Sequence, residues 1–164
     1  MRIILSIGLV LGCVATAAAQ DPAPRPFVIG ELSAIAASDP AGPSRTFAIE
    51  ATVGGPTWGH VQWFGQGGRI FDVEPGFARK PMMWYGAAGA RYGTRSVWRF
   101  RPYADLTAGL ARTDSNVPLA GFALGSQVNL GKHIAVDLGY RVQRFFGTAD
   151  ATRARTFVGL GATF

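Results

Sequence analysis

A chain of 164 residues with a single cysteine is sized for one principal domain and cannot carry a disulfide framework. Its 16 Lys and Arg against 10 Asp and Glu give a formal charge of +6, which suits either nucleic acid or an anionic lipid surface. The front of the chain decides between them.

Residues 1–19 carry Arg2, an apolar run from Ile3 to Val14, and then Ala17-Ala18-Ala19, the layout of a cleaved secretory signal. A retained membrane anchor is the first alternative, and the small residues after Ala15 argue against it. Lipid attachment at Cys13 is the second; the apolar run before it is short, and Leu11 is large for such a site. An exported chain does not meet nucleic acid, so the basic excess points to anionic lipid headgroups. Cys13 leaves with the signal, which removes disulfides and thiolate chemistry together. A short Pro-rich lead, residues 20–25, follows, and residues 26–164 form the domain. No apolar run in them approaches the ~20 residues of a membrane helix.

From Pro26 onward the hydropathy alternates with period two in segments separated by turn residues, which predicts strands. Segment one, 26–36, sets Val28, Leu32 and Ala34 against Glu31 and Ser33. The loop 38–44 ends it. Segment two, 45–54, sets Phe47, Ile49 and Val53 against Thr46, Glu50 and Thr52, and Gly54-Gly55-Pro56 is expected to turn the chain. Segment three, 58–69, opposes Val61 and Trp63 to His60, Gln62 and Gln66; a longer loop is expected around 71–81. Segment four, 82–92, places Trp84, Ala88 and Tyr92 opposite Met83, Tyr85 and Arg91.

Segment five, 98–111, is the cleanest: Trp98, Phe100, Leu106 and Leu110 oppose Tyr103, Asp105 and Thr107. Pro102 belongs near a strand end, because proline cannot donate to an interior ladder. Segment six, 119–130, carries Phe122, Leu124 and Val128 away from Gln127 and Asn129. Gly131-Lys132 is a tight hairpin turn. Segment seven, 134–146, sets Ile134, Val136, Leu138 and Tyr140 against Asp137, Arg141 and Gln143. After a loop at 147–152, segment eight, 153–164, alternates Thr156, Val158, Leu160, Ala162 and Phe164 with Arg155, Phe157 and Thr163.

Eight alternating segments fit a soluble β-sandwich or a membrane barrel. No Lys falls inside a segment, which is unusual for a sheet facing water. Aromatics gather toward two levels, Phe47, Trp84, Phe122 and Phe146 at one and Tyr92, Trp98, Phe100 and Phe164 at the other. Two girdles are what amphipathic rings at two membrane interfaces produce. The expected fold is all-β: an eight-stranded antiparallel up-and-down transmembrane β-barrel.

The segment pattern, the hairpin V-N-L-G-K-H-I-A-V-D-L-G-Y-R at 128–141 and the ending F-V-G-L-G-A-T-F make residues 26–164 resemble the small eight-stranded OmpA/OmpX-type outer-membrane barrels. The resemblance implies export to the outer membrane, termini and the Gly131-Lys132 turn in the periplasm, and outward loops near 38–44, 71–81, 113–118 and 147–152. It further implies that Val158, Leu160, Ala162 and Phe164 form the signal read by the barrel-assembly machinery. Longer members carry a peptidoglycan-binding domain after the barrel, which this sequence lacks, and the short loops argue against an adhesin.

An eight-stranded barrel has an interior that side chains can fill. The inward positions supply Glu31, Glu50, Asp105 and Asp137 against Arg91, Arg141 and Arg155, and such charges must pair. Arg141 is expected to answer Asp137 or the neighbours of Glu31. The reading is a polar plug; a narrow ion path is the alternative. A second set, Arg45, Arg69, Arg79, Lys80, Arg112, Arg144 and Arg153, lies toward the outer rim, where guanidinium forks suit the phosphates of lipopolysaccharide. The bland reading of that set is solvated loop charge.

Chemistry is harder to find. His60 and His133 lie near turns without a serine and a carboxylate to make a nucleophilic site. No His, Cys and carboxylate spacing suggests a metal, and no glycine-rich loop precedes a helix, so neither metal nor cofactor is expected. The function expected is that of a monomeric, non-enzymatic barrel with a structural, envelope-integrity role. The rivals are a narrow-pore porin, a lipid-modifying barrel enzyme and a soluble lipocalin-like carrier.

Overall fold

A computed structural model of the chain describes residues 25–39, 42–73, 79–94, 98–112, 115–146 and 151–164. The expected signal, 1–19, and residues 20–24 of the lead lie outside the described residues.

Eight strands follow in order: β1 (Phe27–Asp39), β2 (Gly42–Trp58), β3 (Val61–Val73), β4 (Arg79–Gly93), β5 (Phe100–Arg112), β6 (Asn116–Asn129), β7 (Ile134–Phe145) and β8 (Ala151–Thr163). Each pairs antiparallel with its neighbour, and β8 returns to pair with β1, so the sheet is a closed barrel without a free edge. Closure gives every strand a hydrogen-bonded partner on both sides, the condition for placing β-structure in hydrocarbon.

The period-two pattern sorts the side chains as expected. Leu32, Leu106 and Leu160 are 60%, 65% and 62% exposed, whereas Glu31, Asp105 and Asp137 are at most 2% exposed. Polar groups are therefore inside and large apolar groups outside, the reverse of a soluble barrel.

The inside is not uniformly polar, and this the hydropathy pattern did not convey. Near the rim where β1 begins and β8 ends, which we call the terminal rim, Phe27, Ile29 and Phe64 form an apolar layer. Toward the opposite rim Ala48, Ile70, Tyr85, Ala111, Leu119 and Phe145 form another. The charged residues lie between. Rings fit this narrow lumen because glycines oppose them: Phe27 faces Gly54, Phe64 faces Gly89, Tyr103 faces Gly125 and Phe157 faces Gly139 across adjacent strands. A Cβ at any of these four glycines would sit within 2.7 Å of the ring that covers it.

Several boundaries differ from the sequence reading. The strands are 12 to 17 residues long, more than the ~9–11 needed to cross hydrocarbon. Hydropathy alternates only where one face meets lipid, but the hydrogen-bond ladder runs past that zone. The expected loops shrink accordingly, since the ladder holds to Asp39↔Gly42, Val73↔Arg79, Arg112↔Asn116 and Phe145↔Ala151.

Gly54-Gly55-Pro56 does not turn the chain. β2 continues through it with a register shift between Gly54 and Thr57, and the turn comes at Gly59-His60, where Gly59 has φ +61°. A bulge accommodates a proline because it has already left the ladder. Trp98 is likewise in a turn, at φ 62°, and β5 begins at Phe100. Pro102 lies two residues inside that strand, near its end as expected.

At the terminal rim the backbone ties itself off. Phe164 N–H donates to Pro26 carbonyl at 3.0 Å, and Gln62 Nε2 donates to Arg25 carbonyl at 2.8 Å. Arg25 in turn donates to Lys132 carbonyl at 3.3 Å. Arg25, two residues before β1, thus reaches both the β3 wall and the β6–β7 turn.

Candidate functional site: an ion-paired lumen

All seven charged residues assigned to the lumen from the sequence point into it, and they separate into two clusters. The first is built on the β4–β5 hairpin. Arg91 and Asp105 are direct cross-strand partners, and the guanidinium meets the carboxylate with both forks: Nε donates to Oδ1 at 2.9 Å and Nη2 to Oδ2 at 3.0 Å. Arg91 Nη1 also reaches Asp137 Oδ2 on β7 at 3.3 Å. Tyr103 donates its hydroxyl to the other oxygen of Asp137 at 2.5 Å. The Arg91 guanidinium lies 3.5 Å from the Tyr103 ring centre and 4.8 Å from that of Phe27. One cation thus serves two carboxylates inside an aromatic enclosure.

The second cluster has a different plan. Glu31 on β1 lies directly opposite Glu50 on β2, and Arg141 on β7 directly opposite Arg155 on β8. Like charges facing each other across a ladder repel. Here the two pairs meet across the lumen. Arg141 Nη2 donates to Glu31 at 2.8 Å and Nη1 to Glu50 at 2.5 Å, while Arg155 Nη1 lies 2.6 Å from Glu50. Thr52 donates to the remaining oxygen of Glu31 at 2.7 Å. Tyr85 donates to Glu50, and Arg155 donates to Gln143. With its amide oxygen turned inward, Gln66 accepts from both terminal nitrogens of Arg141. Arg141 also stands over Phe157, 4.6 Å from the ring centre.

Arg141 therefore pairs with Glu31 and its neighbour Glu50; Asp137, the other expected partner, belongs to Arg91. The cause is the stagger of the barrel, which sets β7 Arg141 level with β1 and β2 and leaves Asp137 nearer the terminal rim. Sequence reasoning also missed Tyr85, Tyr103 and Thr52 as ligands of the carboxylates. Their inward parity was visible, but which carboxylate each would meet was not.

Of the rim cations, Arg69, Arg112 and Arg144 lie on the outward face, in register with outward neighbours. Arg45 holds the same parity, opposite Ala36 and Val73. Arg153 does not: it pairs with Gln143 and shares the inward parity of Arg155, so it belongs to the barrel mouth and not to the outer wall. The side chains of Arg45, Arg79 and Lys80 lie outside the described residues. The C-terminal set holds the outward face, with Val158, Leu160 and Phe164 exposed and Ala162 half-buried.

His60 sits beside Tyr92, with ring centres 5.9 Å apart, and His133 Nδ1 lies 3.2 Å from Thr163 carbonyl. Neither has a serine or carboxylate contact among the described residues. No group of three or more His, Cys, Asp and Glu among them could hold a metal ion.

No family model matches the chain, and no curated protein matches it in sequence. Solved structures do match in shape. Neisserial surface protein A superposes with a TM-score of 0.70 at 17% identity, covering 88% of this chain and 100% of that one. Outer membrane protein H of P. aeruginosa does so with a TM-score of 0.61 at 13% identity, covering 85% and 99%. A de novo designed transmembrane β-barrel matches with a TM-score of 0.54 at 10% identity, covering 88% and 100%. At such identities the likeness is one of architecture: the chain has the fold of the small eight-stranded outer-membrane barrels.

Proposed function

We propose that the protein is an integral outer-membrane barrel, monomeric and non-enzymatic, that serves the envelope as a closed structural element. The observation that carries this reading is the inverted polarity: apolar side chains cover the outside while Glu31, Asp105, Asp137, Arg141 and Arg155 are buried. In water such a surface would be costly at about 25 cal/mol per Å² of apolar area; in hydrocarbon it costs nothing. A soluble lipocalin-like carrier would need the opposite arrangement. The apolar layers at both ends of the lumen, with ion pairs between them, favour a plug over a conduit.

In this reading residues 1–19 direct export, the terminal rim faces the periplasm, and the connections between β1 and β2, β3 and β4, β5 and β6, and β7 and β8 face outward. The outward stripe Val158, Leu160, Ala162 and Phe164 is what the assembly machinery recognises. Arg45, Arg69, Arg79, Arg112 and Arg144 meet lipopolysaccharide phosphate; Lys80, opposite Asp72 in the ladder, shares the inward parity of Arg153.

Fractionation of expressing cells tests the assignment. The protein is expected with the outer membrane and to migrate differently on gels before and after heating. Recovery as soluble periplasmic protein would refute it. Orientation is read from single cysteines at Gly42 and Lys132: an impermeant reagent on intact cells should label the first, and preferential labelling of the second would invert the topology.

A further inference from the structure

The outward wall formed by β3, β4 and β5 differs from the rest of the barrel surface. Arg69, Trp84 and Arg112 occupy one cross-strand row on it. The Arg69 guanidinium lies 4.4 Å from the Trp84 ring centre and 5.4 Å from that of Phe71, and Phe71 stacks on Phe47 at 4.9 Å. A register shift between Ile70 and Phe71, directly above this row, sets the aim of these side chains. The rings fix Arg69 without neutralising it. Neither Arg69 nor Arg112 has an ion pair among the described residues, and Arg69 Nε has no hydrogen-bond partner there. Glu31, Glu50, Asp105 and Asp137 are all buried on the far side of the sheet. A guanidinium on a lipid-facing wall is tolerated near an interface, and there it seeks an anion.

Beneath the row the β3–β4 part of the wall is almost bare, with Leu110 of β5 standing beside it, opposite Gly86. Gly67 and Gly86 pair directly below Arg69 and Trp84, and the next step down pairs Gly65, Ala88 and Ala108. Inward glycines of this barrel make room for the side chains that lie over them, rings at Gly54, Gly89, Gly125 and Gly139 and Glu50 at Gly68. These outward ones do not: a Cβ at Gly65 or Gly86 would meet nothing within 4 Å. The barrel's own packing gives no reason for glycine at either position.

We propose that Arg69, Trp84 and Arg112 hold the phosphate of one membrane lipid, and that an acyl chain of that lipid lies in the shallow groove of Gly67, Gly86, Gly65 and Ala88. The proposal rests on the outer-membrane reading and adds to it a discrete site. The two guanidinium-bearing strands are separated by one strand, which puts the arginines about 10 Å apart, a span a phosphate-bearing headgroup can bridge. From Arg69 to Gly65 the groove runs about 13 Å, on the order of the hydrocarbon depth of one leaflet. Two cations with no ion pair among the described residues, above an apolar trough, match an anionic head on a hydrocarbon tail.

The test uses the refolded barrel in phosphatidylcholine nanodiscs containing a trace of lipid A, either diphosphorylated or enzymatically dephosphorylated, with retained lipid counted by native mass spectrometry. The native barrel should retain the phosphorylated form at least ten-fold over the dephosphorylated one. The Arg69→Gln/Arg112→Gln variant should fall to the dephosphorylated level, and Lys132→Gln, at the other rim, should match the native barrel. Gly86→Leu fills the groove without touching the interior, so it should lose retention several-fold while keeping native heat-modifiable mobility. Equal retention of the two lipid forms, or an unchanged double arginine variant, overturns the site; an unaffected Gly86→Leu overturns the groove. A native barrel that fails to enter the nanodiscs would contradict the membrane reading itself.

Discussion

The two ion clusters of the lumen solve the same problem by opposite means. Arg91 and Asp105 are neighbours in one hairpin, 14 residues apart in sequence, and their attraction is already present when β4 and β5 pair. The other cluster joins a carboxylate pair on β1 and β2 to an arginine pair on β7 and β8, across 91 and 110 residues. Each of its halves is repulsive alone and attractive only when the barrel closes. The Arg91–Asp105 pair stabilises a hairpin, with Asp137 of β7 joining it later; the second cluster reports on closure, since a slip by one residue would turn every charge to the lipid face. Buried ion pairs add little net stability after desolvation, but removing one partner leaves the other stranded.

That difference ranks the expected effects. Arg91→Met leaves Asp105 and Asp137 without their cation, and should cost about 3–5 kcal/mol in reversible urea unfolding in detergent. Arg141→Met leaves Glu31 facing Glu50, with Arg155 still on Glu50, and should cost about 2–3 kcal/mol. It should also reduce the yield of the closed, heat-modifiable form on refolding more than Arg91→Met does, because its contacts span the closing seam. A larger refolding defect in Arg91→Met would erase the distinction between the two clusters. Tyr103→Phe removes the donor to one oxygen of Asp137 and should cost about 1–2 kcal/mol. Tyr85→Phe should cost less, about 0.5–1 kcal/mol, because Glu50 keeps two arginines. A reversed order of the two tyrosines would mean that Glu50 depends on Tyr85 despite them.

What the sequence showed, and what it could not, follows the same division. Alternation and strand number were legible, because period two and turn residues are local properties of the chain. The inward set was legible as a set, for the same reason. The partners were not. Arg91 with Asp105 could have been found by folding segment four onto segment five, a register that the short connection nearly dictates. Arg141 with Glu31 and Glu50 depends on the stagger of the closed barrel, which no local pattern encodes. Gly54-Gly55-Pro56 misled for a related reason: the same residues make a turn or a bulge according to whether a partner strand continues beside them. The ring-on-glycine pairs were hidden likewise, since an inward glycine looks like a weak strand position until its neighbour is known.

The central claim is that the two clusters and the apolar layers above and below them close the lumen. Single-channel recording in planar bilayers tests it most directly. The native protein is expected to insert without steady conductance, and Arg91→Met to show brief, irregular openings as water reaches the stranded carboxylates. Large, uniform, long-lived channels from the native protein would contradict the account and make it a pore.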